Sequence, residues 1–112
     1  MTGVVRPWTA TEARRVIAER CGGRCERCGH VGYTVHHRRK VSQGGTWNPS
    51  NLLALCGSGT TGCHGWTEGN PKAANLLGFW LRHGQTSQES AVWLWGRWVL
   101  LDDSGGVTEV EE

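Results

Sequence analysis

Two pairs of cysteines set the tightest limit on what this chain can fold into. Cys25 and Cys28 stand two residues apart, Cys56 and Cys63 six apart, and 27 residues separate the pairs. A CxxC turn aims two sulfurs at one point, and a second pair at domain scale supplies the four thiolates of a tetrahedral structural zinc site. The segment between them is long enough for a hairpin that folds back and closes the set. The fifth cysteine, Cys21, makes the count odd for a disulfide framework and is expected to be a buried thiol beside a helix end. Composition strengthens the case for a metal staple. Only 38% of the 112 residues are hydrophobic, with one Phe and one Tyr. A core that thin usually needs such help, although seven tryptophans partly offset it.

Local patterns place the elements around these cysteines. Thr9 and Glu12 have the spacing of a capping box, and apolar residues then recur at helical intervals until Gly22 and Gly23, which predicts a helix over 9–21. Residues 33–37 read as a short strand, 38–50 as a loop, and 51–56 as a second short apolar strand or turn. A short helix is expected from Cys63 and His64, and another from Asn70 and Pro71 to about Gly78. Strands are expected over 91–95 and 97–102, with an edge strand over 107–110. Trp93, Trp95 and Trp98 are expected to close a small hairpin core. The whole chain, 1–112, reads as a single domain. The run 57–62 matches GxGxxG, but it is a spacer between two cysteines and lacks the βαβ setting of a dinucleotide site.

Charge divides unevenly. Residues 1–40 carry nine of the twelve Lys and Arg against three Glu, whereas residues 41–112 carry three basic and seven acidic side chains. A basic front beside a nearly neutral middle suits a polyanion lying across one face. No stretch is apolar enough to span a bilayer, and the first twenty residues have four arginines and no apolar signal core. The expected location is therefore the reducing cytoplasm, with no membrane partner.

Between the cysteine pairs lie His36 and His37 at a strand end, then Asn51, and beyond it His64 directly after Cys63. Adjacent strand residues point to opposite faces. One imidazole can then hold a metal while its neighbour addresses a water, the division of work that a one-metal phosphodiesterase needs.

The string Cys25-x-x-Cys28, Val35 to Arg38, Gly44-Gly45, Asn51 to Leu53, Leu55-Cys56 and Cys63-His64 resembles an HNH endonuclease. More narrowly, it is similar to the small phage and actinobacterial type with paired zinc cysteines, over about residues 20–68. The resemblance implies a small α+β fold, a zinc-stapled ββα-metal (His-Me) finger with an N-terminal helix. Residues 69–112, a helix plus Trp-rich strands, would form a short β-rich extension. It implies a DNA endonuclease that hydrolyses phosphodiester bonds, in the host cytoplasm if phage-encoded, with a packaging terminase as a partner. By position, His36 and His64 would hold a catalytic divalent ion, Mg²⁺ or Mn²⁺. His37 would be the general base and Asn51 would orient it. Cys25, Cys28, Cys56 and Cys63 would bind structural Zn²⁺. Arg38, Arg39 and Lys40 are expected to hold neighbouring phosphates. The alternative is a non-catalytic zinc-finger nucleic-acid-binding protein, which would use the same cysteines and basic front.

Overall fold

The computed structural model describes residues 6–111; residues 1–5 and 112 of the expected domain span lie outside them. Helix α1 covers Ala10–Cys21 and opens with the expected capping box: Thr9 Oγ1 accepts from the Glu12 amide, and the Glu12 carboxylate accepts from the Thr9 amide. It stops at Gly22, where φ is +62°, a left-handed turn that costs glycine little. Strands β1 (Thr34–His37) and β2 (Leu52–Leu55) then pair antiparallel, with His36 opposite Leu53 and His37 opposite Leu52. Helix α2 (Gly62–Gly69) and helix α3 (Pro71–Leu76) follow. The chain ends in an antiparallel sheet of β3 (Val92–Leu94), β4 (Arg97–Leu101) and β5 (Val107–Glu109). The result is a small α+β fold with two small sheets. No helix among the described residues is long and apolar enough to cross a membrane.

Strand β2 is the pivot, because all four of its residues are fully buried. Side chains alternate across a strand, so Leu52 and Ala54 pack with Ala13, Ile17 and Cys21 of α1, while Leu53 and Leu55 pack with Phe79 and the C-terminal sheet. Each fully buried Leu, Ile or Phe contributes about 1.5–3 kcal/mol, and β2 collects that gain on both faces. The C-terminal strands therefore complete the larger half of the core, through Val92, Leu94, Val99 and Leu101.

One expectation fails here. Trp93 and Trp95 are 36% and 39% exposed, and Trp93 meets Trp98 edge-to-face at 5.5 Å across the pair β3–β4. The hairpin core is closed instead by the smaller apolar residues between them, which face inward while the indoles line the outer surface.

A buried ion pair ties the two halves together. The Arg20 guanidinium meets both oxygens of the Glu26 carboxylate, at 2.7 and 2.8 Å, and also donates to the Pro49 and Leu52 carbonyls. Glu26 in turn accepts from the Ala54 amide. Removing either partner of such a pair costs about 3–5 kcal/mol, so α1, the cysteine turn and β2 are fastened by one network. Arg20 is a structural residue rather than part of a solvated helix face.

Candidate functional site: a closed cysteine cluster and an open histidine cavity

Cys25, Cys28, Cys56 and Cys63 offer sulfurs that all lie within 4.8 Å of one another. The Cys28 and Cys56 sulfurs are 3.6 Å apart, close to the edge of about 3.8 Å that a tetrahedron with 2.3 Å zinc–sulfur bonds requires. The backbone turns inward to support them: the Cys28 amide donates to Cys25 Sγ and the Cys63 amide to Cys56 Sγ, each at 3.4 Å. Burial raises the Cys25 thiol, but amide donors from Cys28, Cys56 and Arg27 outweigh it and bring it to about 7. Cys63 is pushed up to about 12 by burial, against the pull of the Arg27 guanidinium 3.3 Å from its sulfur. Four thiols crowded in this way, none in a disulfide, make a site that a thiophilic divalent cation fits. Cys21 stands apart at the end of α1, buried with Leu52 and Ala54 on the Tyr33 side, as expected.

The spacer 57–62 shows why the second pair tolerates six intervening residues. It closes on itself through Ser58 and Thr61, returning the chain so that the His64 amide bonds the Cys56 carbonyl at 3.0 Å. Gly57 and Gly62 have φ of +84° and +63°, and a Cβ at either would lie 2.1 or 2.5 Å from backbone oxygen. Two of the three glycines of the GxGxxG match, Gly57 and Gly62, serve this tight return.

On the opposite side of α2, His36, His64 and Glu68 offer ligand atoms that also lie within 4.8 Å of one another. His36 is buried, and its Nε2 is 2.7 Å from the Phe79 carbonyl oxygen. A carbonyl can only accept, so Nε2 carries the proton and Nδ1 keeps its lone pair. His64 Nδ1 lies 2.7 Å from Thr34 Oγ1, whose own hydrogen is directed at the Gly57 and Leu55 carbonyls. That assignment makes His64 Nδ1 the donor and leaves Nε2 free. Anchoring the outer N–H of an imidazole on an oxygen acceptor is how metal-binding histidines are held in tautomer and orientation. Burial keeps both rings neutral: His36 falls to about 4, chiefly by desolvation, and His64 is lowered by the same cause against the opposing pull of Glu68.

The third imidazole joins them. His36, His37 and His64 line one open cavity of about 280 Å³ together with Lys40, Glu68 and Trp80. His36 and His37 are adjacent on β1, where side chains alternate between faces, yet both line this one cavity. His37 packs edge-to-face on Trp47 at 4.5 Å, with the Arg14 guanidinium 5.0 Å from the centre of the same indole. Desolvation first, and then the Arg14 charge, holds its pKa below the ordinary histidine range. Its Nε2 is enclosed and has no hydrogen-bond partner among the described residues, an unmet polar group of the kind that an ordered water satisfies.

Three site expectations need correction. Asn51 does not touch the His37 ring: its Oδ1 accepts from the Arg39 amide, and its Nδ2 donates to the Arg39 and Thr46 carbonyls. It fixes the loop that leaves β1, and with it the backbone that carries His37. Arg38 cannot reach a phosphate, because it is fully buried and donates to the carbonyls of Gly78, Ser50, Ser87 and Ser90. Desolvation lowers even its guanidinium to about 9. Arg39 is half-buried and bonds the Arg82 and Gln85 carbonyls. Only Lys40 of the three is exposed at the cavity, its ammonium 4.9 Å from the centre of the Trp80 ring. Trp66 lies away from the histidines, packed under Arg27 at 4.1 Å and against Phe79.

Sequence reasoning missed Glu68, Thr34 and the Phe79 carbonyl. Glu68 was within reach, since it follows His64 by four residues and so shares its face of a helix. The other two are visible only through tertiary contacts. Comparison with protein-family models, curated proteins and solved structures found no match to this chain.

Proposed function

We propose that this protein is a metal-dependent DNA endonuclease of the HNH type, a ββα-metal finger stapled by zinc at its four cysteines. The observation that carries the reading is the convergence of two free imidazole lone pairs and one carboxylate on a cavity that a third, neutral imidazole also lines. A non-catalytic finger has no use for that second set.

Each residue then has a task set by its chemistry. His36, His64 and Glu68 would hold the divalent ion. When bound, that ion neutralises charge on the scissile phosphate and on the departing oxygen. Glu68 restores the negative charge that a ligand pair of two imidazoles lacks. Two nitrogens and one carboxylate suit Mn²⁺ or a later first-row ion better than Mg²⁺, which favours oxygen donors. His37 accepts a proton from the attacking water and is neutral at pH 7, because burial lowers its pKa. Lys40 contacts a phosphate of the bound strand. Action beside a packaging terminase follows from the family resemblance alone.

The test is relaxation of supercoiled plasmid in Mn²⁺. Wild type is expected to nick, and a folded His37→Ala protein to nick about 10² to 10⁴ times more slowly. Full activity in His37→Ala would remove the general base from the reading. DNA binding with no cutting by wild type would leave the zinc-finger alternative.

A further inference from the structure

The histidine cavity does not end at the metal ligands. A second open space of about 360 Å³ adjoins it, and Lys40, Glu68 and Trp80 line both. Beyond that common wall Pro71, Leu81 and the Trp80 indole supply apolar surface, while Gln43 and Asn75 add polar groups; the Asn75 amide is engaged by the Trp80 carbonyl and the Arg82 guanidinium. Trp80 is held rigidly: its Nε1 donates to the Thr67 carbonyl at 3.0 Å, its carbonyl accepts from Asn75, and its ring meets His36 at 4.5 Å. Gln43 is exposed, and its side chain makes no hydrogen bond among the described residues, so both halves of its amide are free. Among the described residues, Lys40 and Glu68 are the only charged ones lining this second space, and Glu68 also faces the ion site.

We infer that this second space is a subsite for the nucleobase next to the phosphate being cut, with Trp80 as its stacking platform and Gln43 reading its edge. The inference deepens the nuclease reading and rests on it. A polynucleotide alternates a flat apolar base with a charged phosphate, and the two adjoining spaces alternate in the same order. The metal-ligating cavity takes the phosphate, and the Trp80 and Leu81 surface of the second space takes the base. Lys40 lies at the boundary, resting on the indole face. Its flexible stem lets the ammonium pass to the phosphate as a base replaces it on the ring. Base stacking on an aromatic side chain tolerates any sequence, because every base has a π-face. Base discrimination at this nucleotide therefore falls to the Gln43 amide, which can donate and accept at once.

The experiment uses DNA duplexes that each carry one abasic nucleotide, cut by the full-length protein in Mn²⁺ with products resolved to single nucleotides. Cleavage is expected to fall about tenfold at one of the two phosphodiester bonds flanking the abasic position, and to be unaffected at the other. Trp80→Phe should shrink that gap, and Gln43→Ala should lessen any discrimination among the four bases at that position. Equal cleavage on both sides by an active wild-type enzyme overturns the subsite and leaves the nuclease reading standing. No cleavage of any duplex overturns the nuclease reading and the subsite with it.

Discussion

Cys63 and His64 are neighbours in the first turn of α2, yet they serve two clusters of opposite character. Successive helical residues are separated by about 100°, so one side chain turns into the cysteine cluster and the other into the histidine cavity. The cysteine cluster is closed, with four sulfurs within 4.8 Å of one another and amide or guanidinium donors on them. The histidine cluster is open, with three ligands beside a cavity that His37 also lines. Closure is what a structural metal needs, and a vacant coordination position is what catalysis needs. One short helix therefore joins a part that holds the fold to a part that can do chemistry.

The sharpest way to break this comparison is to remove one ligand from the closed side. Cys63→Ser is expected to abolish cooperative unfolding and to release one zinc per chain, because metal binding at such sites is folding free energy. Cys21→Ser should do neither. Circular dichroism with a zinc-per-chain assay separates them, and a folded Cys63→Ser protein would refute the structural role.

On the open side, Thr34→Val removes the oxygen that anchors His64 Nδ1. Mn²⁺ affinity at the histidine site should fall about 10- to 100-fold, with thermal stability little changed. Calorimetric titration of the zinc-loaded protein measures it, and unchanged affinity would show that Thr34 does not hold the ligand.

An effect of comparable size follows from pH. His36 titrates near 4 when folded, against about 6.5 in an unfolded chain. Between those values the unfolded chain binds more protons, so stability rises with pH across the window and falls as the solution is acidified toward 4. The contribution is about 3 kcal/mol. It would be read as the difference in pH slope between wild type and His36→Gln, so that acid loss of zinc cancels. Parallel slopes would mean that the ring is not held neutral by burial.

The smallest expected change is in salt dependence. Lys40→Ala should weaken DNA binding uniformly across sequences and reduce the logarithmic salt slope by about 1, without altering stability. A slope equal to that of wild type would take Lys40 off the phosphate.

Much of this arrangement was legible because its causes are local. The capping box at Thr9 and Glu12, the glycine stop at Gly22, the Pro71 helix start and the alternation along β1 each depend on a few adjacent residues. The candidate ligands were legible for a similar reason: cysteine and histidine are uncommon, and their spacing limits where a turn can bring them. The tryptophans misled because indoles are large enough to fill a core. Here Val92, Leu94, Val99 and Leu101 occupy the inward register of the same strands, leaving Trp93 and Trp95 to the outer face.

Arg38 and Lys40 mark the limit of that reading. Two cations of the same run, two residues apart, have opposite fates, and nothing near them in sequence distinguishes them. Gly78 and Ser90, 40 and 52 residues further on, wrap around Arg38 and surround its guanidinium with carbonyls. The neighbouring Phe79 carbonyl sets the His36 tautomer in the same way. Ligand type and spacing are properties of the chain, and they determined which side chains could bind a metal. Burial, protonation and free lone pairs depend on which distant backbone folds against each group. Only the packed structure decided those, because desolvation and hydrogen bonding act through space regardless of separation along the chain.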